Sequence, residues 1–282
     1  MIESIAVATD FSDAGSIAFL HALRLSVEFK SRLELIHVRE PGDRAEWDAF
    51  PHVRETLERW GLLPAGSKTE QVFETLGIDV RKVEVRDRHA LDGLAGYLPL
   101  NRPDLLVMAS HGRVGLNRWL SGSVSNEIAT TTDIPTLLFG PAAKAFVDLE
   151  TGTLGLTDVV VSVDHSPSPI LAARRARKLL DGLDVAMTFI HVGSEAPDVG
   201  DGTVVRLIED DVVEPVFTAS VGTSAVVQRD NVVDAIVEES GRAGLLVMPT
   251  AGRHGLLDTL RGSTTERVLH EATCPILAIR SE

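Results

Sequence analysis

The chain has 282 residues, 44% hydrophobic and 24% charged with few aromatics, a soluble globular composition whose length suits two ordinary domains better than one. Its 41 acidic residues outnumber 27 basic ones for a formal net charge of −14, a field that repels phosphate backbones and anionic membranes unless a local basic patch overrides it. No such basic run is read, no apolar run reaches the roughly 18 residues of a membrane span, and "MIESIAVATDFSD" lacks a leader pattern; neither nucleic acid nor membrane is expected as a partner, and a cytoplasmic location is.

In chain order, β-rich runs at 4–9, 32–38, 78–86, 104–109 and 135–140 alternate with helical periodicity in "SIAFLHALRLSVEF", over 44–60, in "HALDGLAGYLPL" and in "VSNEIATTT". The stretch "GPAAKAFVDLETGTLG" has no such pattern. The series then restarts at 158–163, 184–192, about 214–228, 244–249 and 275–280, with 193–222 reading more as strand and loop than as helix. Cys274, the sole cysteine, precedes Pro275 in an apolar context and reads as a buried structural thiol.

The restart is a repeat. "IAVATDFS" matches "VVVSVDHS", and Asp10 pairs with Asp164 and His37 with His191 at an offset of 154. "PDLLVMASHGR" matches "AGLLVMPTAGR", and Gly112, Gly122, Ser123 and Pro135 pair with Gly252, Gly262, Ser263 and Pro275 at an offset of 140, so the second copy is 14 residues shorter between its second and fourth apolar runs. The expected organisation is a domain over 1–140, a linker over 141–155 and a domain over 156–282. Alternation of strand and helix predicts an α/β fold: two tandem five-stranded parallel sheets with helices on both faces. Ligands in such sheets bind outside the carboxyl ends of the strands, where strand order reverses.

After the fourth strand of copy one, Gly112 is followed by nine residues and then Gly122-Ser123, which opens the last helix. Unpaired N–H groups at a helix start, approached over glycine, suit a phosphate. Ser123 is equally an N-cap, as Ser263 with Glu266 forms a capping box in copy two, and the two readings are compatible. Asp10 and Asp164 end the first strands, facing the crevice or serving the turn. His37 and His191 read as packed core groups. Ser110-His111 lacks the G-x-S-x-G elbow of a nucleophile, G-x-G-x-x-G and P-loop fingerprints are absent, and nine histidines without H-x-x-x-H spacing give no zinc site. Arg113, Arg118, Arg253 and Arg261 flank the glycine loops, as phosphate neutralisers or as ordinary surface arginines.

V-A-T-D-F-S, L-I-H-V, V-M-A-S-H-G-R, G-S-V-S-N-E and I-P-T-L-L-F together resemble the universal stress protein family in its tandem form, over nearly the whole chain. The resemblance implies a five-stranded parallel α/β domain in each copy. It also implies, for members carrying G-x-x-G, nine residues and G-[ST], binding of ATP, with or without Mg2+. Here Ala109 and Pro249 replace the first glycine, and Pro249 removes an N–H, so the first site matches better. The implied nucleotide-binding residues are Thr9, Asp10, Val38, Ala109, His111, Gly112, Arg113, Gly122, Ser123 and Val124, then Asp164, Val192, Gly252, Arg253, Gly262, Ser263 and Thr264, with the backbone at Val38 and Val192 bordering adenine. Arg88 and Asp230 stand where the family has glycine after the third strand. The resemblance further implies that "IPTLLFG" and "CPILAIR" pair as an internal pseudo-dimer, with homodimerisation beyond it. The expected function is a stress-response protein using an adenine nucleotide as regulatory ligand, with no assigned catalytic residue and at most slow hydrolysis. The alternative is a nucleotide-free interaction protein, and a third reading is a nucleotide-cleaving or adenylate-transferring enzyme, because fold does not fix function.

Overall fold

A computed structural model of the chain describes residues 2–43, 45–110, 128, 132–166, 168–193, 195–200, 202–203, 205–208, 232–250 and 263–280. The chain divides into two compact units, Met1–Phe139 with Ala145–Gly155, and Gly140–Lys144 with Leu156–Glu282.

The first unit runs β1 (Ser4–Ala8), α1 (Asp13–Phe29), β2 (Arg32–Arg39), α2 (Val53–Arg59), α3 (Thr69–Leu76), β3 (Val80–Arg86), α4 (Ala90–Asn101), β4 (Leu105–Ala109) and β5 (Thr136–Phe139). Its strands are all parallel in the order β3-β2-β1-β4-β5. Central strands of a parallel sheet are covered on both faces, which is why Ile5, Ala6, Val7, Leu105, Leu106 and Val107 are consecutive apolar residues and all buried. Ser12 caps α1 by accepting the Gly15 N–H at 3.0 Å. The helix expected over 44–60 is confined to Val53–Arg59. Pro51 explains the difference, since it disfavours helical backbone at Phe50 and has no N–H to give.

Part of the patternless stretch packs as firmly as a regular element. His21 of α1 is fully buried, its Nδ1–H donates to the Ile17 carbonyl at 2.8 Å, and its Nε2 accepts the Phe146 and Val147 N–H groups at 3.1 and 3.2 Å. Burial pushes the imidazole pKa down to about 4 against the opposing Ile17 hydrogen bond. Farther along, Arg24 Nε donates to the Gly152 carbonyl at 2.8 Å and Trp60 Nε1 to that of Leu149 at 3.1 Å. Gly152, at φ +69, lies flat on Trp60, where a Cβ would stand 2.4 Å from ring carbon Cδ2.

The second unit runs β6 (Asp158–Ser162), α5 (Pro169–Leu179), β7 (Ala186–Val192), β8 (Arg206–Ile208), α6 (Val232–Ser240), β9 (Leu245–Thr250), α7 (Ser263–Glu271) and β10 (Ile276–Arg280), its parallel strands ordered β10-β9-β6-β7-β8. Val159↔Met187 and Val159↔Leu245 repeat the registers Ile5↔Leu33 and Ile5↔Leu105. The third strand does not follow the expected window of 214–228. Ile190 pairs with Arg206 where Ile36 pairs with Val83, and 209–231 lie outside the described residues. Counted between register positions, the second copy has fewer residues from Ile190 to Arg206 than the first has from Ile36 to Val83, and more from Arg206 to Leu245 than the first has from Val83 to Leu105. A net offset hides two opposite changes in spacing.

Two side-chain groupings distinguish this unit. Arg206 of β8 and Glu239 of α6 form a buried ion pair, extended by Arg242 to Glu239 at 3.0 Å, at the register position that Val83 fills in the first unit. The expectation that the chain has no basic run is corrected by α5, which carries Arg174, Arg175, Arg177 and Lys178. Arg175 donates to the Arg280 carbonyl, and Arg177 donates to Thr203 and lies over the Phe189 ring, so only Arg174 and Lys178 are exposed. Cys274 is buried, and its thiol is pushed up to about 12 by desolvation, which keeps it protonated and inert.

Candidate functional site

In the first unit the chain runs outward from β1 to β2 and β3, then returns to the other side of β1 as β4, so strand order reverses between β1 and β4. A crevice at the carboxyl ends of these two strands is the expected ligand position. The turn after β1 is fixed by short bonds. The Thr9 N–H donates to the Ile36 carbonyl at 2.9 Å, Thr9 Oγ1 accepts the Phe11 N–H at 3.0 Å, and Phe11 adopts a left-handed φ of 61°. Asp10 Oδ1 accepts the Ser12 N–H at 3.1 Å and the Ser12 hydroxyl at 2.6 Å. Asp10 thus performs the turn role read from sequence, and these bonds set its half-buried carboxylate at the strand end. Gly15 lets α1 come this close, since a Cβ there would lie 2.9 Å from Thr9 Oγ1.

His37 of β2 is buried, as expected of a core group, and its ring meets Phe11 at a 44° tilt with centroids 4.3 Å apart, while Phe11 in turn meets Trp47 edge-on at 4.8 Å. It is also more than packing. Nδ1 lies 3.0 Å from the Thr9 carbonyl and Nε2 lies 2.9 Å from Asp43 Oδ2, so one imidazole joins the turn after β1 to the loop after β2. Val38 is buried against Gly93 of α4, where a Cβ would stand 2.6 Å from Val38 Cγ1. Beyond it an open cleft of about 820 Å³ lies between residues 39–43 and 86–88, with Arg88 on its wall. Glu40 accepts the Ala90 N–H at 2.9 Å at the start of α4. Arg39 donates to Glu84 at 3.1 Å, a bond that holds the Glu84 carboxyl below its ordinary range.

Across the switch point, Ala109 is the buried last residue of β4. Next to it, the Ser110 N–H and hydroxyl both donate to the Phe139 carbonyl, at 2.9 and 3.0 Å. That hydroxyl serves the backbone and is not presented as a nucleophile. His111, Gly112, Arg113, Arg118, Gly122, Ser123 and Val124 lie outside the described residues.

The second unit repeats the frame with different side chains. The Val163 N–H donates to the Ile190 carbonyl at 2.8 Å, the His191 Nδ1–H donates to the Val163 carbonyl at 2.9 Å, and the Thr250 hydroxyl donates to that of Ile279 at 3.2 Å. Asp164, however, is exposed and accepts the adjacent His165 N–H at 2.7 Å, while His165, at the place of Phe11, meets the buried His191 edge-on at 5.2 Å. Val192 is half-buried. Pro249 lies within β9 and not in a turn. Leu246 donates to Pro275, so alternation turns the nitrogen of residue 249 towards β6, whose pairing with β9 ends earlier, at Val161↔Val247. The missing N–H therefore breaks no ladder bond. Ser263 and Thr264 are the first residues of α7, whereas Gly252, Arg253, Arg261 and Gly262 lie outside the described residues.

Among the described residues no three His, Cys, Asp or Glu side chains are grouped to hold a metal ion, and no helix is long and apolar enough to cross a membrane. The ties made by Asp43 to His37 and by Glu40 to α4 had no signal in the spacing, because their loop has neither strand nor helix periodicity.

Comparison with known proteins agrees with this architecture. A sequence model of the universal stress protein family matches residues 1–140 and 156–280. A universal stress protein of Mycobacterium tuberculosis is 26% identical over 264 residues, 88% of this chain and 87% of the relative, and one of Mycolicibacterium smegmatis is 23% identical over 293 residues, 98% and 96%. Among solved structures, a universal stress protein from Archaeoglobus fulgidus has a TM-score of 0.60 at 16% identity, covering 99% of this chain and 96% of its own. A putative one from Pseudomonas aeruginosa has 0.61 at 14%, covering 99% and 93%. At these identities the solved structures speak for the fold.

Proposed function

Because the chain belongs to the universal stress protein family in both of its halves, we propose that it binds an adenine nucleotide, ATP before others and with or without Mg2+, as a regulatory ligand. The first unit is the principal site. One observation carries this reading: at the β1–β4 switch point, the Asp10 turn and the end of β4 at Ala109–Ser110 stand on adjacent strands, and the sequence Gly112, nine residues, Gly122-Ser123 departs from that strand end. A fixed carboxylate suits a ribose hydroxyl or an amine, and a glycine-flanked helix start suits a polyphosphate. The second unit is the weaker site, with Asp164 turned to solvent and Pro249 at the strand end. Hydrolysis is slow at most, because both His37 nitrogens and the Ser110 hydroxyl are already engaged. A cytoplasmic setting and association of two chains belong to the same reading.

Denaturing the purified chain and resolving the supernatant by anion exchange beside nucleotide standards tests it, followed by a thermal-shift titration with ATP and magnesium. The expected outcome is a co-purified adenine nucleotide or a rise in Tm that grows with ATP concentration, the stabilisation following RT ln(1 + [L]/Kd). Neither appearing at millimolar ATP would leave an interaction protein without nucleotide.

A further inference from the structure

His37 bridges the turn after β1 and the loop after β2 in the first unit, and its two contacts make contradictory demands on a neutral ring. The Thr9 carbonyl oxygen facing Nδ1 can only accept, and so can an ionised Asp43 facing Nε2. A neutral imidazole has one N–H and one bare nitrogen, so it satisfies one of these acceptors and turns a lone pair towards the other. Both contacts are made together only by a ring that carries both protons. When one proton leaves, the Asp43 contact is the one given up. Thr9 is buried and held by its own bond to Ile36, whereas Asp43 is half-buried in a loop.

Of the charged groups around the ring, Asp43 is the one in contact with Nε2. Asp10, beside Thr9, has Oδ1 on Ser12. Glu84, opposite His37 in register on β3, is paired with Arg39 at 3.1 Å and Arg86 at 3.6 Å. Lys82, also on β3, is set over the Trp47 ring at 5.0 Å, and Phe11, against the His37 ring, also meets Phe50. In the second unit the same imidazole position makes the same Nδ1 contact, yet the carboxylate near it, Asp164, is 3.7 Å from Nδ1 and not on the Nε2 side.

We propose that doubly protonated His37 is a positioning residue that ties the Asp10 turn to the Asp43 loop, so that nucleotide binding in the first unit takes up a proton and weakens as the pH rises, while the second unit has no such dependence. The coupling rests on the nucleotide reading above, but the tie itself does not.

Side-chain 15N NMR of the full chain without nucleotide, with the His37 signals assigned by their loss in His37→Gln, reads the tie directly. Both ring nitrogens are expected to be protonated at the acid end of a titration from pH 5.5 to 8.5, and Nδ1 alone at the alkaline end. Calorimetry with ATP and magnesium over the same range is expected to show first-site affinity falling with pH, by no more than about tenfold per pH unit, the limit for one linked proton. Asp43→Asn is the decisive variant. Its amide N–H can donate to a bare Nε2, so the neutral ring keeps both contacts and affinity at the alkaline end is restored with a flat profile. A purely structural loop contact would leave the profile unchanged in this variant, and that result, or a ring neutral from the acid end onward, overturns the proposal. A doubly protonated ring in a chain that binds no ATP would uphold the tie and refute its coupling to nucleotide.

Discussion

The two units hold the same backbone bonds at their strand ends and surround them with different chemistry. In both, a histidine on the second strand donates to the carbonyl just beyond the first, and a hydroxyl at the end of the fourth strand donates to the last strand. These bonds secure carbonyl oxygens where the parallel ladder runs out, a need that comes with the fold. Around them, Phe11, Asp43 and a half-buried Asp10 in one unit have as counterparts His165 and an exposed Asp164 in the other. Duplication has kept what the sheet requires and let the walls of the crevice diverge, so an asymmetry of function is to be sought in the walls.

The largest expected difference concerns the cores. Glu239→Ala strands Arg206 as a buried unpaired charge and should lower the stability of the second unit by about 3–5 kcal/mol. Val83→Ala, at the matching position of the first unit and only half-buried, should cost about 1 kcal/mol. Urea unfolding followed by probes in each unit measures both, and equal losses would mean that the ion pair is not buried in solution.

A smaller effect separates the units by pH. His21 titrates near 4 when folded and near 6.5 when unfolded, so the unfolded chain takes up the proton first. The first unit should keep its full stability above about pH 6.5 and lose it progressively as the pH falls towards 4, by up to about 3 kcal/mol at 1.36 kcal/mol per unit. The second unit has Arg175 at this repeat position and should show no matching slope. His21→Phe should abolish the slope and destabilise the first unit at neutral pH, because the Phe146 and Val147 N–H groups lose their acceptor. A slope that survives the substitution would place the titrating group elsewhere.

The finest comparison is between the crevices. Gly122→Val should remove the ATP-induced rise in Tm more completely than Gly262→Val, the stabilisation behind the full rise being about 2.7 kcal/mol at a ligand concentration of one hundred times Kd. Equal losses would contradict the ranking of the first site above the second.

Much of this molecule is legible in its residues. Runs such as "SIAVA" and "LLVMA" announce doubly covered strands, and the repeat of "VVVSVDHS" after "IAVATDFS" gives two units, their parallel sheets and the strand ends that matter, because periodicity and repetition are local properties of the chain. The turn role of Asp10 and the core placement of His37 follow from the same patterns. The expected helix over 44–60 fails because a single proline outweighs a periodic pattern, and the strand beside β7 falls at Arg206–Ile208, before the expected window, because a net offset cannot distribute two opposite changes in spacing.

Sequence by itself determined the fold class, the duplication and the glycine spacing that suggests a phosphate. Tertiary structure alone decided that Phe146 and Val147 seat on His21, that Arg206 finds Glu239, and that His37 reaches Asp43 with its second nitrogen. The physical reason is one of range. Hydrogen-bonded ladders and amphipathic faces are specified by neighbours a few residues apart, whereas the partner of a buried polar atom is whatever distant side chain or amide the completed packing brings within about 3 Å.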